Sequence, residues 1–213
     1  MKIRIDLKIL IFLLIFYITN QIKIYIIIMF FCFLHELGHI IVGIILKMRP
    51  EKIEIMPCGL STSFRANLND LNYKIKNGNL LELKKIIIAI AGPVLSLILI
   101  ILLTYLDIPY VTKQDVIYSN LLILIFNLMP LYPLDGGRII KGILHIELGR
   151  EKSNNMIKNI SRVTIIILTI ISSIAVYYLK NIAIFLVCIF LWNMILQEKT
   201  AKHLIFYGGN SKI

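Results

Sequence analysis

The segment 24–46 of the chain, IYIIIMFFCFLHELGHIIVGIIL, is apolar apart from one cluster of ionisable side chains. If Tyr and Cys are set aside, that cluster consists of His35, Glu36 and His39. As a helix, the segment would be roughly 34 Å long, which is enough to cross a bilayer. Polar groups at such a depth are costly and usually face a cavity or one another. The cluster therefore either forms a functional site or destabilises the fold.

Apolar runs of this kind recur along the chain of 213 residues, which is 58% hydrophobic and has a mean hydropathy of +0.84. We predict an all-α polytopic membrane protein with about six transmembrane helices. The first run lacks a small-residue cleavage site and a second span follows it closely, so we interpret it as a span and not as a signal peptide. Residues 1–196 would form one membrane domain, and 197–213 a short tail. The six apolar runs cover residues 9–19, 24–46, 86–106, 116–131, 163–179 and 181–196.

The loop between the second and third runs contains a segment with a different pattern. In residues 51–64, apolar and polar side chains alternate around a Pro-Cys-Gly sequence at 57–59. Alternation with a period of two, interrupted by turn residues, is typical of a short strand or hairpin. An interfacial loop is the alternative interpretation.

The net charge of +11 follows the predicted topology. Of the 23 basic residues, 20 lie in every second segment outside the spans, so that they share one side of the membrane. These segments are 2–8, 47–85, 138–162 and 199–212. The opposite loops hold one each, namely Lys23, Lys113 and Lys180. The positive-inside rule then predicts that both termini and both large loops face the cytoplasm of a multi-pass cell-membrane protein. This distribution favours membrane topology over nucleic-acid binding as the reason for the basic charge.

The His-Glu-x-x-His pattern at 35–39 has a specific chemical meaning. On a helix, histidines four residues apart lie on one face and can bind one zinc ion, while the adjacent glutamate serves as a general base. The alternative is a pair of hydrogen-bonded histidines between packed helices. Inside a membrane span an unliganded cluster would be hard to satisfy, so we favour a metal site.

A catalytic zinc ion needs a third protein ligand and an open position. Asp135 is the best candidate, because it lies in the sequence NLMPLYPLDGGR (127–138) at the inner end of the fourth run. Its two prolines prevent a regular helix, and Gly136 and Gly137 allow a sharp turn. An ordinary helix exit is the alternative for this segment, and Cys32, on the same helix face as His35, is a lesser candidate. Four further candidates lie in predicted surface segments or on the outer side: His145, His203, Asp107 and Asp115.

Together, HELGH in the second run, NLMPLYPLDGGR in the fourth and Ala91-Gly92-Pro93 in the third resemble the signatures of the site-2 proteases, which are intramembrane zinc metalloproteases. The small size and the early HELGH most resemble the sporulation branch, whose member processes a membrane-associated pro-sigma factor. The third signature commonly continues to an asparagine where this chain has Ser96. The resemblance covers residues 1 to about 196.

The resemblance implies a site and partners. His35, His39 and Asp135 would bind one Zn²⁺, and Glu36 would activate the attacking water. Asn127 would lie near the site and help to place the substrate. The partners would be a membrane-anchored protein substrate, membrane regulatory proteins and the lipid bilayer, with no nucleic acid. The segment 197–213 is too short for the nucleotide-sensing or PDZ domains of other members. Regulation would then come from partner proteins, or the chain would be a minimal member with a different substrate.

Two rival functions stay open from the sequence. A non-enzymatic membrane metal-binding or transport protein would need polar residues on several spans, whereas the outer halves here are almost uniformly apolar. A CAAX-type membrane metalloprotease would take its third ligand from a glutamate on a later helix. The later apolar runs contain neither Glu nor Asp.

Overall fold

The computed structural model describes residues 2–56, 59–65, 75–106, 112–179 and Trp192. In chain order the elements are β1 (Lys2–Ile5), α1 (Lys8–Ile18), α2 (Ile22–Ile45), β2 (Arg49–Met56), β3 (Gly59–Arg65), α3 (Ile75–Tyr105), α4 (Lys113–Asn127), α5 (Asp135–Leu148) and α6 (Arg150–Leu179). The described part is thus mostly helical with one small sheet, as predicted.

Three helices in the described ranges are long and apolar enough to cross a membrane. They are α2, residues Asn79–Tyr105 of α3 and residues Arg150–Ile174 of α6, with mean hydropathies of 2.0, 3.1 and 1.6. Large aliphatic side chains such as Ile101 and Ile167 are exposed on their outer faces. Exposed apolar surface on this scale suits a lipid environment, so the prediction of a membrane protein is confirmed. The sixth predicted run, 181–196, lies outside the described residues apart from Trp192.

The sheet confirms the strand prediction for 51–64 and adds a strand. β2 and β3 are antiparallel, with Ile53 opposite Thr62 and Met56 opposite Gly59. β1 pairs with β2 in parallel, with Ile3 opposite Ile53. Strand β1 was not predicted, because four residues carry too little periodicity. Its parallel pairing with β2 also requires α1 and α2 to bring the chain back to the same edge of the sheet.

The predicted fourth span is the element that differs most from expectation. Helix α4 ends at Asn127, residues 128–134 form no helix or strand, and Asp135 begins the next helix. Gly136 and Gly137 therefore lie in the first turn of α5 and do not form the predicted sharp turn. A Cβ at either position would collide with the backbone of residues 128–132. Small size, and not backbone freedom, is what these two glycines contribute.

Side chains of α6 satisfy the irregular backbone between α4 and α5. The Tyr132 N–H donates to Ser161 Oγ at 2.9 Å, and the Thr164 hydroxyl, which is 2.9 Å from the Ile160 carbonyl of its own helix, is also 3.2 Å from the Pro130 carbonyl. Leu131 is fully buried against Ile165 beside these contacts. Irregular backbone at membrane depth is tolerated only where protein or water supplies its hydrogen bonds. Helix α6 therefore holds the segment that delivers Asp135.

Ser161→Ala tests this dependence. The Tyr132 N–H would lose its acceptor in a half-buried position, which costs about 1–3 kcal/mol of stability. We expect a lower thermal unfolding temperature of the protein in detergent, measured by intrinsic fluorescence. Ser173→Ala, at an exposed position of the same helix, should leave that temperature unchanged. Equal unfolding temperatures for the two variants would contradict the bracing by α6.

Candidate metal centre

Three buried side chains from two helices converge at one point. His35 and His39 lie one turn apart on α2, and Asp135 opens α5. Asp135 Oδ2 is 2.9 Å from His35 Nε2 and 3.1 Å from His39 Nε2, and the two Nε2 atoms are 3.2 Å apart. All three residues are buried. The structure thus brings Asp135 to the two histidines across 96 residues of chain.

Both imidazoles are held from behind through their other nitrogen. His39 Nδ1–H donates to the Ile88 carbonyl at 2.7 Å, and His35 Nδ1 is 2.9 Å from Ser96 Oγ. A carbonyl can only accept, so the proton of a neutral His39 ring is on Nδ1 and its Nε2 presents a lone pair. Partners of this kind orient metal-binding histidines and set their tautomer.

These residues fit a zinc ion. Acceptor atoms of two imidazoles and one carboxylate meet in a buried place, an arrangement that repels itself unless a cation lies between them. Ligands at the usual zinc distance in a tetrahedron are roughly 3.3 Å apart, close to the separations seen here. Two histidines and one carboxylate are a known catalytic zinc set that leaves one position open. His35, His39 and Asp135 are the described residues arranged to hold a metal ion.

Helix α3 comes closest to the proposed ligands at Gly92, which has no side chain. A Cβ at Gly92 would collide with the His39 ring and lie 2.6 Å from His35 Nε2. One turn of α2 away from His35, Gly38 packs against α3, where a Cβ would lie 2.9 Å from the Ala91 carbonyl oxygen. These contacts explain why the Ala-Gly-Pro sequence at 91–93 accompanies the histidines.

Glu36 lies beside the ligands in a cavity of about 80 Å³. Its side chain is buried, and its Oε1 has no hydrogen-bond partner among the described residues. Asn127 also lines this cavity, and its Nδ2 donates to the Ile123 carbonyl at 3.1 Å in its own helix. An unpartnered carboxylate oxygen next to a metal site can take a proton from water.

Asn120 is a polar residue of the site region that the sequence analysis missed. It is fully buried on α4, and its Nδ2 donates to the Ser96 carbonyl at 3.1 Å. Because Ser96 Oγ contacts His35, Asn120 holds Ser96 in place and thereby supports the position of His35. The signal was available, since the pair Ser119-Asn120 interrupts the apolar run at 116–131.

The remaining candidates lie elsewhere. Cys32 lines the cavity near Gly59 but is not part of the three-ligand cluster. His145 is 3.4 Å from Glu82 Oε1, and Asp115 occupies the first turn of α4. Asp107 and His203 lie outside the described residues.

Comparison with known proteins gives concordant matches. Residues 112–171 match the peptidase family M50. The chain is 31% identical over 173 residues to a zinc metalloprotease of Methanocaldococcus jannaschii, covering 78% of this chain and 46% of that protein. It therefore spans about half the length of this curated relative. Among solved structures it resembles the site-2 protease from Methanocaldococcus jannaschii, with a TM-score of 0.66 and 27% identity over 92% of this chain and 89% of that one.

The fold and the site define a helical membrane protein with a buried two-histidine, one-carboxylate metal centre. The match of residues 112–171 to peptidase family M50 and the likeness to a solved site-2 protease agree with this description. The resemblance seen in the sequence is confirmed for the family, and the sporulation branch stays a prediction.

Gly92→Ala tests the geometry of the centre. The added methyl group would displace both imidazoles, so we expect zinc affinity to fall roughly 10- to 100-fold, as when groups that orient metal ligands are changed. Zinc per chain would be measured by mass spectrometry after dialysis against graded chelator. Val94→Ile, which enlarges an exposed residue of the same helix, is the control and should keep the parental value. Parental affinity in Gly92→Ala would mean that α3 does not touch the ligands.

Proposed function

We propose that this protein is an intramembrane zinc metalloendopeptidase that cleaves membrane-anchored protein substrates within or near their transmembrane segment. The observation that carries the proposal is the unpartnered Glu36 Oε1 in a cavity that His35 and Asp135, two of the three convergent residues, also line. The match to peptidase family M50 and the zinc metalloprotease among the similar proteins support it. A structural metal site would have no use for a buried carboxylate oxygen left without a partner.

Each residue of the site then has a defined task. His35, His39 and Asp135 would hold the zinc ion, and the chemistry supplied there is polarisation of the scissile carbonyl and a lower pKa for the attacking water. Glu36 would accept the proton of that water and deliver it to the departing amide nitrogen. Asn127, at the end of α4, would offer hydrogen bonds to the substrate backbone.

Strand β3 suggests how an unwound substrate is held. Gly59, Leu60 and Ser61 line the cavity that contains Glu36. One edge of β3 pairs with β2, and no other strand in the described ranges pairs with it. An extended peptide can add to such an edge through main-chain hydrogen bonds. We propose that segment 51–64 presents the substrate to Glu36 in this way.

The orientation and the substrate are further parts of the proposal. Both termini and the active-site side would face the cytoplasm, as the distribution of basic residues implies. The similarity to the sporulation branch suggests a membrane-associated pro-sigma factor as the substrate, and membrane proteins as regulatory partners.

Reporter fusions test the orientation. We expect fusions after Lys113 and Lys180 to report the outer side, and fusions after Arg65 and Arg150 the cytoplasm. Alkaline phosphatase and green fluorescent protein, which are active on opposite sides of the membrane, give the two readouts. A swapped pattern would refute the proposed orientation.

Glu36→Gln tests the hydrolytic function. Glutamine keeps the size of the side chain but cannot accept the proton, and loss of a positioned base costs on the order of 100- to 10,000-fold in rate. We expect near-parental zinc content and membrane abundance, with cleavage of a co-expressed single-span substrate abolished. Asp135→Ala is the comparison variant, because it should lose zinc as well as activity.

Two outcomes would contradict the assignment. Parental cleavage by Glu36→Gln would exclude Glu36 as the base. Metal-dependent transport with no cleavage of any membrane substrate by the parent would favour the transporter instead. A CAAX-type protease is disfavoured because the acid that reaches the histidines in the described ranges is an aspartate.

A further inference from the structure

A second and larger cavity adjoins the one that contains Glu36. It has a volume of about 740 Å³ and is lined by β3, the first half of α3, helix α5 and the start of α6. Ser61 and Arg138 line both cavities, and Arg138 Nη2 is 3.4 Å from Ser61 Oγ. The two spaces therefore meet at this pair of side chains.

The lining of the second cavity is basic. Among the described residues that form it, one is a carboxylate, Glu82, which lies 2.7 Å from Lys85 Nζ and 3.4 Å from His145 Nδ1. The Lys141 ammonium lies 4.3 Å from the centre of the Tyr132 ring, which helps to hold it in place. Such a surplus of positive charge in a concave site attracts anions. The basic side chains of the lining are Lys85, Arg138, Lys141 and Arg150.

A buried hydroxyl in the same lining also lacks a partner. Thr62 is 3% exposed, and its Oγ1 forms no hydrogen bond within the described part of the chain. A buried hydroxyl without a partner is costly, and an acceptor bound in this basic cavity would supply one. A carboxylate satisfies both the hydroxyl and the cations.

Strand β3 runs from the first cavity into the second. Gly59 to Ser61 line the first, and Ser61 to Phe64 line the second. At roughly 3.3 Å per residue, Leu60 and Phe64 are about 13 Å apart along the strand. A peptide paired with β3 and cut beside Glu36 would therefore place residues three to five positions from the scissile bond in the basic cavity.

We propose that the second cavity binds an acidic segment of the substrate, three to five residues from the bond that is cut. This inference rests on the proposed protease function, which it extends to a substrate class. The continuity along β3 favours a peptide over a lipid phosphate as the occupant, because the same strand edge that would hold the scissile segment runs directly into the basic lining.

The test measures binding without cleavage. Full-length Glu36→Gln protein in phosphatidylcholine nanodiscs is titrated into a fluorescent hexaglutamate peptide, with hexaglutamine as the neutral comparison, and anisotropy is recorded. Adding Lys141→Gln and Arg150→Gln should weaken hexaglutamate binding about five- to tenfold, since two ion contacts are lost. Thr62→Val should weaken it about two- to fivefold, the value of one hydrogen bond.

The matched control removes the same charge elsewhere. Lys152→Gln with Lys158→Gln alters exposed residues of α6 that do not line the cavity, and it should change binding less than about twofold. Equal weakening by the two double variants, or hexaglutamine binding as tightly as hexaglutamate, would overturn the proposal. So would loss of co-purifying phosphatidylglycerol from the Lys141, Arg150 variant with hexaglutamate binding unchanged, because the occupant would then be a lipid.

The two proposals can fail separately. Hexaglutamate binding is measured on a variant that lacks the proposed base, so it can be present whether or not the parent cleaves a membrane substrate. Cleavage by the parent with no preference for hexaglutamate in its Glu36→Gln variant would leave the protease function standing and remove the acidic specificity.

Discussion

The structure depends on the convergence of three acceptor atoms in a buried place between helices. Two imidazole nitrogens of α2 and one carboxylate oxygen of α5 meet within about 3 Å of one another. Uncompensated, such a group would destabilise the fold, and with a cation it joins two elements that are distant in the chain. The helices around it are arranged so that this meeting can occur.

Small residues and a break in the helical pattern make the convergence possible. Gly92 has no side chain, and a Cβ there would collide with the imidazoles of His35 and His39. Gly136 and Gly137 let α5 start against the backbone of the preceding segment. That segment is irregular, and α6 supplies hydrogen bonds through Ser161 and Thr164. A continuous helix through residues 128–134 would carry Asp135 away from the histidines, so the break is what delivers the ligand.

In the proposed function, the two cavities separate catalysis from substrate recognition. The small one is lined by His35, Asp135 and Glu36, and the larger one is basic and continues along the same strand. In the proposed function, β3 would align the substrate, so that charge in one cavity selects what reaches the base in the other. Arg138 stands between them, 3.8 Å from Asp135 Oδ1 and in contact with Ser61.

The sequence by itself indicated the membrane class, a short strand or hairpin at 51–64, His35 and His39 as metal ligands with Glu36 as the base, and Asp135 as the candidate third ligand. These follow from local patterns, since hydropathy, alternation and a four-residue histidine spacing depend on neighbours in the chain. The strand β1, the start of α5 at Asp135, the bracing by Asn120 and the basic cavity were decided by the tertiary structure alone. Each of them requires contacts between segments far apart in the chain. A four-residue strand has too little periodicity to predict its partner strand, and a single buried amide has no local pattern that predicts its hydrogen-bond partner.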